Sequence, residues 1–199
     1  MWRRLKEHVR EYWIIYLTLA GVYLAGIVFG SVGVEALGLS DKVQLIKFLD
    51  TLLAGQPGTL DPQFLGLLAR DTFIMMAAIW LLGLTVIGTP LIYLIVFTRG
   101  FILGFTVNFI VQVKGIAGLG LVLTTVIVPS LLSVPLLFLG SGLATIFSLL
   151  LLRGKASGES LRREFAYYTL SAVLVGLGAV AAGVTQGYFS ILGTRLFGL

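Results

Sequence analysis

The side chains able to do chemistry are few and far apart. The 199-residue chain has no cysteine, so no disulfide, thiolate metal ligand or thiol nucleophile can form. Its single histidine, His8, sits in a basic N-terminal tail, where it reads as a solvated tail residue. With no second histidine, a Ser-His-acid constellation has no partner elsewhere in the chain. Asp41, Asp50, Asp61 and Asp71 could supply paired carboxylates for acid–base work, but they scatter along a polar stretch and read as a solvated helix face. No glycine-rich phosphate loop ending in Lys-Ser or Lys-Thr and no Gly-x-Ser-x-Gly turn occurs. The expectation is a protein without catalytic groups, cofactor or metal.

The elements that must carry these residues are membrane helices. Hydrophobic residues make up 58% of the chain and charged residues 12%, against roughly 45–50% and about 25% in soluble domains. The stretches 72–98 and 115–152 hold no charge at all. A spanning helix needs about 20 apolar residues, which predicts an all-α integral membrane bundle of five spans, at 13–34, 71–97, 100–113, 118–152 and 165–193, in one polytopic domain. Pro129 and Pro135 divide the fourth segment, because proline lacks the helical N–H donor. That segment is either one long kinked span or a re-entrant helix followed by a span. Residues 35–70 form the one long polar insertion. Ser40 can cap a helix bearing Val43, Leu45, Ile46, Leu49, Leu52 and Leu53 at helical spacing. Gly55 and Pro57 break it, and Asp61-Pro62 can start a second helix with Phe64 and Leu68. The insertion therefore reads as an amphipathic helical hairpin.

Cationic flanks orient the spans. With five crossings, Arg3, Arg4, Lys6, Arg10, Arg99 and the basic loop 153–163 share one side, nine basic residues against five. This puts the N-terminus in the cytoplasm, and the hairpin and C-terminus outside. A net charge of +5 is thus assigned to topology, not to nucleic acid. Under this division Glu35, Asp71, Arg99 and Lys114 all fall at span ends. Asn108, Gln112 and Gln186 remain as neutral polar groups inside spans, for interhelical hydrogen bonds or for a substrate path. The chain has 25 glycines, and the pairs Gly26/Gly30, Gly100/Gly104 and Gly183/Gly187 each place small residues on one helix face. Such faces admit close helix approach, either within one chain or in a homodimer.

The run from Trp80-Leu81-Leu82-Gly83 to Gly88-Thr89-Pro90, then Arg99-Gly100-Phe101-Ile102-Leu103-Gly104-Phe105-Thr106-Val107, resembles the stage II sporulation protein M family. Gly26-Ile27-Val28-Phe29-Gly30 matches its first span, and the likeness covers nearly the whole chain in order. The resemblance implies a scaffold in the bacterial cytoplasmic membrane, at the septum and engulfing membrane of sporulating cells. Such a scaffold helps localise two peptidoglycan hydrolases. These are the amidase and endopeptidase stage II sporulation protein P and the lytic transglycosylase stage II sporulation protein D. The hairpin face of Leu45, Leu49, Leu52, Leu53, Phe64 and Leu68 is the candidate docking surface, unless it lies on the bundle or the bilayer. The competing expectation is a small transporter or permease-like subunit.

Overall fold

The structure is a computed structural model describing residues 13–54, 62–152 and 158–196. All described elements are helices: α1 (Trp13–Glu35), α2 (Leu39–Ala54), α3 (Pro62–Gly83), α4 (Gly88–Val122), a π-helical turn (Leu123–Ile127), α5 (Val128–Leu152) and α6 (Gly158–Leu196). Four stretches are long and apolar enough to cross a membrane: Trp13–Glu35, Gly88–Ile116, Gly118–Leu152 and Leu161–Phe189. Their outer surfaces carry side chains such as Phe29, Leu131 and Leu177, each more than half exposed, as a hydrocarbon solvent requires.

Neighbouring side chains fix the direction of each helix. Thr18 bonds Tyr93 and Asn108 bonds Ser31, so α1 and α4 run parallel. Tyr16 lies against Gly142 while Tyr23 meets Phe138 edge-on, so α5 runs antiparallel to α1. Phe147 stacks on Tyr168, and Leu136 lies beside Gly178, so α6 returns antiparallel to α5. Asp71 of α3 reaches Arg99 of α4, and the two helices join at a turn over 84–87, which makes them antiparallel as well. The chain then doubles back at Gly115, whose φ of 59° is open to glycine and strained for other residues. Beyond it, Leu121 and Val122 pack on Ile110 of the preceding limb.

Two sequence expectations change here. The break expected at Arg99, between spans 71–97 and 100–113, is absent: α4 is continuous helix through Arg99. The chain breaks earlier, at 84–87. Pro90 stands in the first turn of α4, where its missing N–H would have had no helical partner. The second arm of the expected hairpin 35–70 is also not a separate helix. Phe64 and Leu68 belong to α3, which continues unbroken to Gly83.

The segment 118–152 is helical throughout: Pro135 lies inside α5, and Pro129 is accommodated by an added residue rather than a break. Pro129 has no N–H and would press on the carbonyl one turn back. Immediately before it the helix widens into the π turn, and the Val128 N–H donates to Leu123 O, five residues earlier. Thr124 and Thr125 donate their hydroxyls to carbonyls of the preceding turn.

The core lies where α1, α3, α4, α5 and α6 meet, around Leu19, Ile79, Ile92, Val96 and Phe147. Polar groups lock the 84–87 turn to it. Ser148 donates to Thr85 O at 2.8 Å, Thr89 donates to Ser148 at 3.1 Å, and Tyr168 donates to Trp80 O at 2.9 Å.

Candidate functional site: a charged pair and cavity between helices

Two faces of α4 do different work. Gly100 and Gly104 look towards α1. A β-carbon on Gly100 would overlap the Tyr23 carbonyl, and one on Gly104 would lie 2.8 Å from Ile27 Cα. On α1, a β-carbon at Gly26 would lie 3.0 Å from Phe101 N, and one at Gly30 2.9 Å from Phe105 N. The two glycine pairs therefore face each other across one seam, with backbones in contact. The surface at Gly100 and Gly104 assigned above to packing or to a homodimer is filled by α1 of the same chain. Gly183 lines the cavity described next, and Gly187 is buried.

The adjacent face of α4 carries Arg99, Leu103 and Thr106, spaced so that all three look the same way. They line a cavity of about 190 Å³ together with Tyr23 of α1 and equivalent stripes from three other helices. From α3 come Thr72, Met75 and Met76; from α5, Ser130, Ser133, Val134 and Leu137; from α6, Ala179, Gly183 and Gln186. Val126 of the π turn borders it as well. Ser130 and Ser133 donate to carbonyls of their own helix, at 2.6 and 3.3 Å, leaving their oxygen lone pairs to the cavity.

Arg99 is the charged centre. Its Nη2 donates to Asp71 Oδ2 at 3.1 Å, and its Nε donates to Met75 Sδ at 2.7 Å. At 1.5 Å per residue, Arg99 stands roughly 17 Å along α4 from Gly88 and roughly 26 Å from Ile116. It is thus far from either end of an apolar helix, not at a span end as the sequence division had it. Asp71 lies roughly 18 Å from the end of α3 at Gly83 by the same measure. Intramembrane ionisable groups face one another or a polar cavity, because hydrocarbon cannot solvate them. Arg99 does both, facing Asp71 and lining the cavity, while Asp71 meets it from outside the lining.

The neutral polar residues divide between two tasks. Asn108 donates to Ser31 O at 2.7 Å and accepts from Gln112 at 3.4 Å, so both serve the α1–α4 seam. Only Gln186 reaches the cavity. Leu45 of α2 is half-buried, whereas the side chains of Leu49, Leu52, Leu53, Phe64 and Leu68 fall outside the described residues. No group of three His, Cys, Asp or Glu side chains that could hold a metal occurs among the described residues.

Apolar helices with lipid-compatible outer faces, close glycine seams and a buried polar interior define a polytopic helical membrane protein. The stage II sporulation protein M family profile matches residues 19–191, most of the chain, and the protein belongs to that family. It is therefore a membrane protein of a sporulation family. No curated protein and no solved structure matches it. The sequence blocks that carried the resemblance fall on structural centres: 80–90 spans the α3–α4 turn, 26–30 faces 99–107 across the glycine seam, and 99–107 also lines the cavity.

Proposed function

We propose that the protein is a non-enzymatic membrane scaffold for cell-wall remodelling in sporulation, holding stage II sporulation proteins D and P at the septal and engulfing membrane. The family match over residues 19–191 carries this reading. Bond cleavage then belongs to the partners, in keeping with a chain in which Asn108, Ser148 and Tyr168 spend their polar groups on packing bonds.

The topology that goes with it has five crossings. α3 is 22 residues long, about 33 Å at 1.5 Å per residue, and lies antiparallel beside α4, which supports counting it as the fifth crossing. Basic flanks then put the 84–87 turn in the cytoplasm and α2 on the wall side, where its apolar face can receive a partner helix. The test is Leu49→Glu combined with Leu52→Glu. Co-purification of both hydrolases with the stably inserted variant is expected to fall sharply. Recovery equal to wild type would refute docking on α2.

A second reading, a small permease-like subunit, is favoured by the Arg99 cavity alone. It requires solute flux in proteoliposomes of the purified chain, lost in Arg99→Gln. Flux that Arg99→Gln leaves unchanged would dismiss it.

A further inference from the structure

We infer that the Arg99 cavity is a binding site for a phosphate-type oxyanion, and that Asp71 is the internal carboxylate which holds the guanidinium until that ligand displaces it. The inference stands apart from both functional readings, since a scaffold or a permease could carry such a ligand.

The hydrogen-bond inventory points there first. A guanidinium has five N–H donors. Arg99 uses one on Asp71 and one on the weak acceptor Met75 Sδ, which leaves three without an acceptor among the described residues. An unmet donor in a membrane interior is costly, because lipid offers no acceptor. The Gln186 amide and the Thr106 hydroxyl line the same cavity without a hydrogen bond among the described residues. These donors outnumber the Ser130 and Ser133 oxygens that face the same cavity, and besides the cation's own helix α4 they come from α6. A tetrahedral oxyanion, with several lone-pair-rich oxygens, suits donors arriving from different directions better than another planar carboxylate does.

The existing acceptor is loosely held. Asp71 meets Arg99 through one oxygen and one nitrogen at 3.1 Å, not the two-point fork available to this pair. Its side chain is 72% exposed while that of Arg99 is 35% exposed, so the carboxylate approaches from the rim and the guanidinium from the wall. An incoming anion can take that contact without dismantling the core.

Size and lining narrow the occupant further. At roughly 30 Å³ per water, 190 Å³ holds about six waters, room for a phosphate group but not for a whole lipid. Met75, Met76, Leu103 and Leu137 give the remaining wall an apolar surface that tolerates attached carbon chains. The phosphate can thus be free or borne on a lipid headgroup.

The experiment uses the full chain in detergent micelles and follows thermal unfolding. Inorganic phosphate is titrated in one arm; in the other, phosphatidylglycerol is titrated against diacylglycerol, which lacks the phosphate. Wild type should show saturable stabilisation by one or both phosphate sources and none by diacylglycerol beyond the detergent baseline. A response to phosphatidylglycerol alone assigns a lipid-borne phosphate, and a response to inorganic phosphate assigns the free ion. Asp71→Asn removes the competitor and should lower the half-saturating concentration by about tenfold, the effect of one charge-assisted hydrogen bond. Arg99→Gln should abolish the response. Should Arg99→Gln not fold, Gln186→Leu with Thr106→Val leaves the ion pair intact and should raise the half-saturating concentration at least severalfold. Absence of any saturable response in both wild type and Asp71→Asn would overturn the site. So would a response retained in Arg99→Gln or unchanged in the double variant.

Discussion

Gly30→Ala tests the packing logic most directly, because one methyl group must enter a seam that has no room for it. The new β-carbon would overlap the Phe101 carbonyl oxygen and stand 2.9 Å from Phe105 N, where ordinary contact begins at 3.4 Å. Both obstacles are backbone of α4, which cannot rotate aside as a side chain can. The helices must separate by about half an ångström to an ångström, and a gap of that size forfeits roughly a quarter to a half of each pairwise attraction along the seam. The cost should be about 1–3 kcal/mol, the usual range for overpacking. For a chain of this size that corresponds to a fall in Tm of roughly 2–12 °C. Gly21→Ala on the same helix is the internal control. A β-carbon there meets nothing within 4 Å, and alanine's better helix propensity should stabilise by about 0.5–1 kcal/mol. The two substitutions therefore carry opposite signs. Gly26→Ala combined with Gly30→Ala should cost less than the sum of the singles, since the first separation makes room for the second methyl. The assay is thermal unfolding of the purified chain in one detergent, with all variants in parallel. A Gly30→Ala transition at or above that of Gly21→Ala would refute the close-contact seam.

Two further perturbations address other joints. Tyr168→Phe removes the hydroxyl that donates to Trp80 O, and should lower stability by about 1 kcal/mol in the same unfolding assay. An unchanged transition would mean that bond contributes nothing. Gly115→Ala places a β-carbon on a residue with φ of 59°, although nothing lies within 4 Å of it. It should therefore cost about 1–3 kcal/mol through backbone strain alone, whereas Gly176→Ala, equally unobstructed, should not destabilise.

The sequence made the class of protein legible because lipid imposes one composition on every outward face. Phe29 and Leu177 are apolar for the same reason whichever helix they sit on. The glycine pairs were legible too, as spacing, but a spacing names a face and not its partner. Gly26 and Gly30 meet Gly100 and Gly104 only because two helices separated by the whole of α2 and α3 lie parallel. The same limit concealed the ends of α3 and α4. Hydropathy runs on smoothly from Phe73 through Phe97, so the turn at 84–87 has no polar signature. Its only marker is Pro90, three residues past the turn, acting as a helix start.

Arg99 was misplaced for a related reason, and the misplacement is informative. A charge in an apolar run reads as a boundary whenever water is the only solvent considered for it. Here the solvent is another part of the chain: Asp71 comes from a helix 28 positions away, Gln186 from α6, and Thr106 from two turns further along α4. Only Thr106 is periodic with Arg99, so no window of sequence contains the whole environment that makes the charge tolerable. The feature that lets this arginine stay inside the bundle is also the one that gives the cavity its donors. Packing and ligand recognition are therefore one arrangement at this position. A variant that relieves the charge, such as Arg99→Leu paired with Asp71→Leu, should keep the bundle inserted and folded while emptying the cavity of its chemistry. Loss of the folded bundle in that pair would show instead that the ion pair is structural in its own right.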